Sequence, residues 1–577
     1  MRSAVKRKRE RSSSSSASSD ASDNHRSPVR SSRKKSSELM HRDHTQLKLA
    51  VRGNLNVEHA YRTVNKGMSS LEAWAALLTE IEKLQQPQDA FRDAVVEVLT
   101  KWPYCYGYWC KWGAMEAKRG EYEKAIEIYE EALTAFPISV DIWMAYLKFM
   151  RVHLGKREDG VEGIRRLQAR ALATMGLEWR SDAVWLDVLA FELDQKDYLA
   201  ATVILDRLIS TPTARLDENW ERLKQHIMRH PVDDVVGQSE KEELSTIESE
   251  VAQRRAMIEK REKLYRQTKD RTMGMAEYEG KIKRPYFHTR PLERGQLENW
   301  MKYIEWVMNS EVRVDSITII FERALVACAL YEEFWLKYTT WMEKNGKIAE
   351  TRVIFQRAQE IHCPSSVLVA LAYSAFEEAQ GSMHQAERIL DDFEDRQPGH
   401  LLIQTRRLGV ARRMTKGKDS RRCMNEVVNM FESTLQKTKK KERRSKELPQ
   451  TSFVIGRYAR FLLKVKEDRQ EAENVLRRGI REDPSNENLR LQLVDLAYSQ
   501  TPIKEDEVTE ALDESIQSMD LPLAARIRFS QRKLDFLEEL GSDIKKIQEH
   551  VLFHTRLLVL DTTPSRGPKP VSVLGSA

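Results

Sequence analysis

The sequence predicts an all-α protein, an α-solenoid of stacked helical hairpins in two arrays. Tryptophans recur at intervals of 34, 35 or 42 residues, and a short motif follows each of them in step. The repeat lapses only between residues 231 and 283, which divides the array in two. A unit of this length cannot bury its apolar face alone, whereas stacked units bury a continuous core.

Charge and composition limit the function classes. The 577 residues carry 95 Lys+Arg and 88 Asp+Glu, a net charge of +7, and residues 1–38 account for all of it with eleven basic and four acidic residues. A uniformly basic, nucleic-acid-binding body is therefore excluded. The longest stretch without a charged residue, 361–376, is too short to span a membrane, so we expect no membrane partner. Five cysteines indicate a reducing compartment.

The two ends of the chain are predicted to be disordered tails. Residues 1–38 contain fourteen serines and almost no apolar side chain, so ordering them would bury too little surface to offset the lost entropy. The same expectation holds for 561–577. The first tail holds a dense cationic cluster typical of a nuclear import signal, which predicts a nuclear protein. A merely solubilising charge run is the alternative. The cluster consists of Lys6, Arg7, Lys8, Arg9 and Arg11.

The hairpins up to residue 362 each carry a tryptophan on the first helix, and a motif such as Phe321-Glu322-Arg323-Ala324 recurs on the second helix of several hairpins. A small residue lets the two helices approach, an aromatic residue fills the gap to the next hairpin, and a proline ends the unit. At this spacing the tryptophans are predicted to be core residues, although aromatic side chains interleaved with arginine also stack nucleobases. The predicted core tryptophans are Trp74, Trp109, Trp143, Trp185, Trp300 and Trp335.

The periodicity places an N-terminal array at 60–230, a helical linker at 231–283 and a C-terminal array at 284–560. The linker is strongly charged but keeps apolar residues at helical spacing, which indicates one or two connecting helices. The predicted hairpins lie near 71–100, 106–136, 140–175, 181–211, 297–327, 331–362, 367–393, 400–435, 453–481 and 487–518, followed by a terminal helical segment near 523–560.

The hairpin, with Trp and Glu on its first helix and aromatic-Glu-Arg-Ala on its second, resembles the half-a-tetratricopeptide (HAT) repeat family of RNA-processing complexes. The order of the units and three longer strings, at 102–109, 283–288 and 529–533, are similar to a splicing branch of that family. This resemblance implies a component or assembly factor of the U1 small nuclear ribonucleoprotein (U1 snRNP) that acts at 5′ splice-site selection. It also implies pairing with itself or with a related HAT protein through the C-terminal repeats.

The sequence contains no motif that carries catalysis. Phosphate-binding loops and nucleophile elbows are absent, so we predict neither an enzyme nor a cofactor. His226 and His230 are spaced for one helix face, but no third metal ligand has a suitable spacing nearby. We therefore predict a pair of surface histidines and no metal site.

One basic segment stands out in the balanced body. Residues 406–446 contain fifteen Lys/Arg against four acidic residues. The run at 437–444 lacks apolar residues and lies between hairpins, which predicts an exposed loop that contacts RNA or an acidic protein surface. A solvated loop without a partner is the alternative. The candidate residues are Arg406, Arg407, Arg412, Arg413, Arg421, Arg422, Lys439, Lys440, Lys441, Arg443 and Arg444.

For self-association, the candidate is a helix near the C-terminus that carries both apolar and cationic positions. Its alternative role is that of a helix that caps the last hairpin. The candidate residues are Arg526, Phe529, Arg532, Lys533, Phe536 and Leu537.

The sequence thus predicts a nuclear, non-enzymatic scaffold that holds proteins of a splicing particle in fixed relation, with RNA as a secondary partner. Two alternatives remain: a HAT scaffold of pre-mRNA 3′-end cleavage, and a protein that binds RNA directly through 406–446.

Overall fold

The computed structural model describes residues 45–65, 70–84, 88–155, 159–310, 313–414, 420–443 and 450–562. Within these ranges it contains 28 α-helices and no β-strand, which confirms the predicted all-α class. The helices form two compact units, of which the first ends at Pro364 and the second begins at Ser365.

The first unit consists of successive helix pairs joined by short connections, followed by a π-helical turn at Ala358–His362. Its helices are α1 Thr45–Gly53, α2 Leu55–Asn65, α3 Leu71–Glu82, α4 Gln88–Lys101, α5 Tyr106–Lys118, α6 Tyr122–Ala135, α7 Val140–Leu154, α8 Gly160–Met175, α9 Asp182–Asp194, α10 Tyr198–Ile209, α11 Leu216–Arg229, α12 Val232–Val235, α13 Gln238–Leu244, α14 Glu250–Glu279, α15 Arg294–Asn309, α16 Val314–Cys328, α17 Glu332–Lys344 and α18 Ile348–Arg357.

The second unit repeats this arrangement and has its own apolar core. A π-helical turn at Leu462–Lys466 extends one of its helices, α23. Its helices are α19 Val367–Ala379, α20 Met383–Arg396, α21 Leu401–Met414, α22 Ser420–Glu442, α23 Thr451–Phe461, α24 Arg469–Glu482, α25 Glu487–Tyr498, α26 Glu505–Gln517, α27 Leu523–Leu540 and α28 Ile544–Thr562.

Local residues explain where the hairpins begin and turn. The Ser139 and Ser366 side chains accept hydrogen bonds from backbone N–H groups in the first turns of α7 and α19 and so cap these helices. Gly120, between α5 and α6, has a φ of +81°, a conformation that glycine adopts without strain. The two helices of this hairpin then cross closely, because a Cβ on Gly113 would lie 2.6 Å from the Tyr129 ring.

The segment 231–283 is helical and belongs to the first unit. Its main element, α14, buries a sparse seam of side chains that starts at Met257 and ends at Glu279. Arg261 in this seam forms ion pairs of 2.7 Å with both Asp206 on α10 and Glu240 on α13. The compact units divide at 364/365, whereas the sequence places its division at 231–283. The segment 231–283 does not separate two units, because charged side chains anchor α14 on the helices before it.

Candidate interaction surfaces

The six repeat tryptophans are all buried, with exposed fractions between 1% and 5%. In most hairpins the indole N–H also donates a hydrogen bond to a backbone carbonyl of the segment that precedes the helix. These bonds run from Trp109 to Pro103 (2.9 Å), from Trp143 to Pro137 (2.8 Å), from Trp185 to Gly176 (2.9 Å) and from Trp335 to Ala329 (2.8 Å). These rings are packing elements and present no face to a nucleobase.

An arginine on the second helix covers the tryptophan of the same hairpin. The distance from guanidinium carbon to ring centroid is 5.1–5.7 Å, within the range of a cation–π interaction. The pairs are Arg170 with Trp143, Arg207 with Trp185, Arg323 with Trp300, and Arg357 with Trp335.

Two of these arginines, Arg170 and Arg357, also join their hairpin to the one before it. Glu322, from the motif on α16, accepts a hydrogen bond from the Tyr338 hydroxyl (3.1 Å) and two from the Arg357 guanidinium (2.7 and 2.9 Å). Burial raises the pKa of Tyr338 well above its ordinary value, so the hydroxyl keeps its proton and remains a donor. We call this arrangement the acid–tyrosine–arginine link.

The link recurs along the chain. Glu130 accepts from Tyr146 at 2.9 Å and from Arg170 at 2.6 and 2.9 Å. In the second unit, Glu432 pairs with Arg478 at 3.0 Å. Sequence reasoning found the motif but assigned only packing to it. The signal was present, because an acid in the motif is followed sixteen residues later by a tyrosine in two hairpins.

The most buried charge cluster of the first unit consists of one arginine and two glutamates. Arg323 on α16 contacts Glu178, whose Oε1 lies 2.7 Å from Nε, and forms two hydrogen bonds with Glu279 at the end of α14, one of them 2.9 Å long. All three side chains are buried. Burial raises the pKa of the Glu178 carboxyl, although Arg323 opposes this shift. The cluster joins the connection after α8, the linker helix and the first hairpin after it.

A second contact joins distant parts of the first unit. Tyr104, in the string 102–109, stacks on His362 with ring centroids 4.4 Å apart and accepts a hydrogen bond from Arg357. Burial raises the pKa of Tyr104 to about 12 and lowers that of His362 to about 3, so both side chains are neutral near pH 7. The string that supports the family resemblance therefore has a structural role: its Tyr104 contacts the end of α18 and the turn that follows.

The part of the run at 437–444 that the structure describes is helical up to Glu442. The loop prediction is wrong for 437–442, because α22 runs to Glu442 and buries Leu435 and Thr438, which anchor its cationic end. Lysine and arginine are good helix formers, so the charge run does not end the helix. Lys440 and Arg443 are exposed. Arg444 lies outside the described residues, as do the side chains of Arg421, Arg422 and Lys441.

Several residues of the predicted patch form intramolecular ion pairs. Arg407 pairs with Asp391, Arg413 with Glu378, and Lys439 with Glu482 at 2.6 Å. Arg413 and two further residues of the patch, Arg406 and Arg412, line a cavity of about 520 Å³ on the second unit. The structure adds three cations that sequence reasoning missed, because they follow 44 to 58 residues later on α23 and its π-helical turn. They are Arg457, Arg460 and Lys464.

Most of the candidate side chains on the predicted dimer helix, α27, are buried or paired within its own unit. The three apolar candidates Phe529, Phe536 and Leu537 are at most 2% exposed and belong to the core. Of the cations, Lys533 pairs with Asp513 at 2.6 Å and Arg526 donates to the carbonyl of Ile516, whereas Arg532 is exposed. The apolar surface that we predicted is therefore not exposed, since α27 packs on the helices before it, where Phe536 contacts Tyr498, and α28 packs on α27 as well.

The last helix, α28, exposes the apolar side chains instead. One side of α28 packs on α27, where His550 and His554 contact Ser530 at 2.8–3.2 Å. The remaining faces expose large apolar residues by 39–65% of their surface. They include Ile544, Val551, Leu552, Phe553 and Leu558.

Other predicted features have simple placements. Lys6, Arg7, Lys8, Arg9 and Arg11 lie outside the described residues. His226 is buried and contacts Thr202 at 3.1 Å, and His230 stacks on Tyr198 at 4.0 Å. Among the described residues, no group of three or more His, Cys, Asp or Glu side chains could hold a metal ion. Within the same ranges, no helix combines the length and the apolar character of a membrane span.

Comparison with known proteins divides the chain near the linker segment 231–283, as the sequence does. The sequence model of the PRP39 N-terminal HAT repeat matches residues 58–225, and that of the PRP39 C-terminal HAT repeat matches residues 274–413. The chain belongs to the pre-mRNA-processing factor 39 family. The two matches stand on either side of α13 and most of α14, and the second continues across the boundary of the compact units to the end of α21.

Two relatives of this family align over nearly the whole chain. Pre-mRNA-processing factor 39 of Xenopus laevis is 31% identical over 532 residues, which cover 87% of this chain and 80% of that protein. The Homo sapiens protein of the same name is 29% identical, with 87% and 77% covered. A more distant relative, cleavage stimulation factor subunit 77 of Arabidopsis thaliana, is 22% identical over 51% of this chain and 40% of its own length.

Proposed function

We propose that this chain is a nuclear, non-enzymatic scaffold of pre-mRNA splicing that joins the U1 snRNP and acts in 5′ splice-site recognition through protein–protein contacts. The observation that carries the proposal is the match of both HAT arrays, in order, to a family whose members are named pre-mRNA-processing factors. The cationic cluster Lys6–Arg11 supports nuclear entry.

The mechanism is alignment rather than chemistry. Each acid–tyrosine–arginine link fixes one hairpin against the next through charge-assisted hydrogen bonds, so the surfaces on successive hairpins keep their spacing. Proteins bound to different hairpins would then be held in a defined relation, as a scaffold of a particle requires.

The test is purification of the tagged chain from nuclear extract, with sequencing of the bound RNA and mass spectrometry of the bound proteins. We expect U1 RNA and U1 snRNP proteins. Enrichment of 3′-end cleavage factors without U1 RNA would replace the proposal by the second candidate, which the similarity to cleavage stimulation factor subunit 77 supports. Tight binding of naked RNA by the purified chain would instead favour a direct RNA-binding protein.

We also propose that two copies pair through the exposed apolar face of α28. The face is large and lies at the C-terminal end of the repeats, where the family resemblance implies pairing. Light scattering at micromolar concentration should give twice the 67.2 kDa of one chain. Leu552→Glu should give a single-chain mass, and Val152→Glu, at a site 74% exposed on α7, should not. A single-chain mass for the unmodified protein would refute the proposal.

A further inference from the structure

The cationic cavity on the second unit is formed by facing stripes of two helices. On α21, Leu402, Arg406, Gly409 and Arg413 follow one another at helical spacing and share one face. On α23 and the π-helical turn after it, Arg457, Arg460 and Lys464 form the opposite stripe. We call this cavity the α21–α23 groove. Turns of π-helix are frequent at functional sites, and here the turn brings Lys464 to the groove wall.

The groove concentrates positive charge, and few acidic side chains of the second unit pair with it. Six cations line it, and none of its described lining residues is acidic. Arg413 is paired with Glu378, but Arg406, Arg457, Arg460 and Lys464 form no ion pair with any described carboxylate. Like charges held together in this way repel one another, so an anionic ligand would be attracted.

The floor of the groove is apolar. Leu402 is 55% exposed, and Gly409 lines the cavity beside Arg413, whose guanidinium lies 3.1 Å from the position that a Cβ on Gly409 would take. A mid-helix glycine lowers helix stability relative to alanine, and here it leaves room for the Arg413 side chain. The remaining apolar lining residues are Leu371, Leu408, Phe431, Phe461 and Val465.

These features distinguish between two anionic partners. Single-stranded RNA is bound by cations together with exposed aromatic faces on which bases stack. The two aromatic residues that line the groove, Phe431 and Phe461, are only 5% and 6% exposed and offer no such face. A peptide with acidic and apolar residues on one side instead matches both the cationic rim and the aliphatic floor.

We propose that the α21–α23 groove binds an acidic amphipathic peptide segment of a partner protein. The acidic side chains of the peptide pair with Arg406, Arg460 and Lys464, and its apolar side chains cover Leu402 and the apolar lining beside it. The inference deepens the proposed scaffold function and rests on it, since it assigns one docking site and the chemistry of its partner.

The test is fluorescence anisotropy of the full chain with three probes. The first is a synthetic peptide in which Glu flanks Leu and Phe at helical spacing, the second replaces Leu and Phe by Ser, and the third is a single-stranded RNA of mixed sequence. We expect the amphipathic peptide to bind best and to bind more weakly as salt rises. Equal binding of the Ser peptide, tighter binding of RNA, or no binding of any probe would overturn the proposal.

Two variants locate the site independently. The triple variant Arg406→Gln, Arg460→Gln and Lys464→Gln should weaken binding of the amphipathic peptide about tenfold, because each solvent-exposed charge pair contributes little alone. Gly409→Leu, which adds bulk to the groove and crowds the Arg413 side chain without changing the net charge, should weaken binding of the peptide by a similar factor. Unchanged affinity in both variants would also overturn the proposal.

A matched control removes the same charge elsewhere. Lys148, Lys302 and Arg481 are exposed, lie outside the groove and form no ion pair with described carboxylates, so their triple Gln variant should bind within about twofold of the unmodified chain. An equal loss of peptide affinity in this control would mean that general charge attraction, and not the groove, accounts for the binding. Recovery of U1 RNA with the tagged chain is a separate readout, so failure of peptide binding and failure of the scaffold function are distinguishable.

Discussion

Replacing Arg323 by Met tests whether the buried cluster of Arg323, Glu178 and Glu279 is a structural requirement. The variant keeps an unbranched side chain of similar length but leaves Glu178 and Glu279 without their cation, and all three residues are at most 8% exposed. Removing one partner of a buried ion pair costs about 3–5 kcal/mol. At a slope of about 3 kcal/mol per molar urea, the unfolding midpoint of the first unit should fall by about 1 M or more.

Intrinsic fluorescence is a suitable assay, because all twelve tryptophans lie before Pro364 and report only on the first unit. The matched control is Arg170→Met. Arg170 occupies the same place in an earlier hairpin, over Trp143 and against Glu130, but the two charged side chains are 47% and 39% exposed. This pair contributes about 0.2–1 kcal/mol, so the midpoint should hardly move.

The loss in Arg323→Met should also depend on pH. The folded-state pKa of Glu178 is already raised above its ordinary 4.5, and it rises further without the guanidinium. The folded state then binds more protons than the unfolded state, so stability falls as pH rises above about 4.5. Relative to the unmodified chain, the variant should therefore lose more stability at pH 7 than at pH 5. Equal midpoint shifts in Arg323→Met and Arg170→Met, or a smaller loss at pH 7, would refute this account of the cluster.

Three further predictions concern the first unit. Gly113→Ala should lower the free energy of unfolding by about 1–3 kcal/mol, because its Cβ would press on the Tyr129 ring, whereas Gly107→Ala on the same helix meets no atom within 4 Å and should be neutral or stabilising; urea titration checks both. The buried, neutral His362 favours the folded state at pH 7, and this contribution is lost as pH falls from about 6.5 toward 3, so His362→Asn should make the unfolding midpoint less dependent on pH in that range. Burial raises the pKa of Cys105 to about 12, so this thiol should react with iodoacetamide far more slowly at pH 7.5 than after unfolding, and fast native labelling would contradict its placement.

The hairpins were predictable because their signal is local. Apolar spacing, a turn glycine such as Gly120 and a cap such as Ser139 lie within one unit, so the sequence contains all that is needed to place its two helices. The links between hairpins were not predictable in the same way. Glu279 meets Arg323 only because α14 ends beside α16, and no window of the sequence shows that approach.

The candidate surfaces illustrate the same limit. The basic segment was found by counting charges, but the count could not tell that Arg407 is paired or that Arg460, on another hairpin, completes the cationic groove. For the C-terminal pair of helices, both α27 and α28 carry apolar residues, and only packing decides that Phe536 is covered while Leu552 is exposed. Long-range packing, rather than residue type, separates the core from the surface here.

The acid–tyrosine–arginine link also gives the stack of hairpins a direction. Each link runs from a carboxylate on one hairpin to a guanidinium on the hairpin that follows it, as from Glu322 to Arg357. Such faces are complementary head to tail but not to themselves. A two-fold axis brings a surface against its own copy and would set carboxylate against carboxylate or guanidinium against guanidinium. Symmetric pairing of two chains must therefore use a surface other than these stacking faces, and linked hairpins can be added to the array only in one orientation.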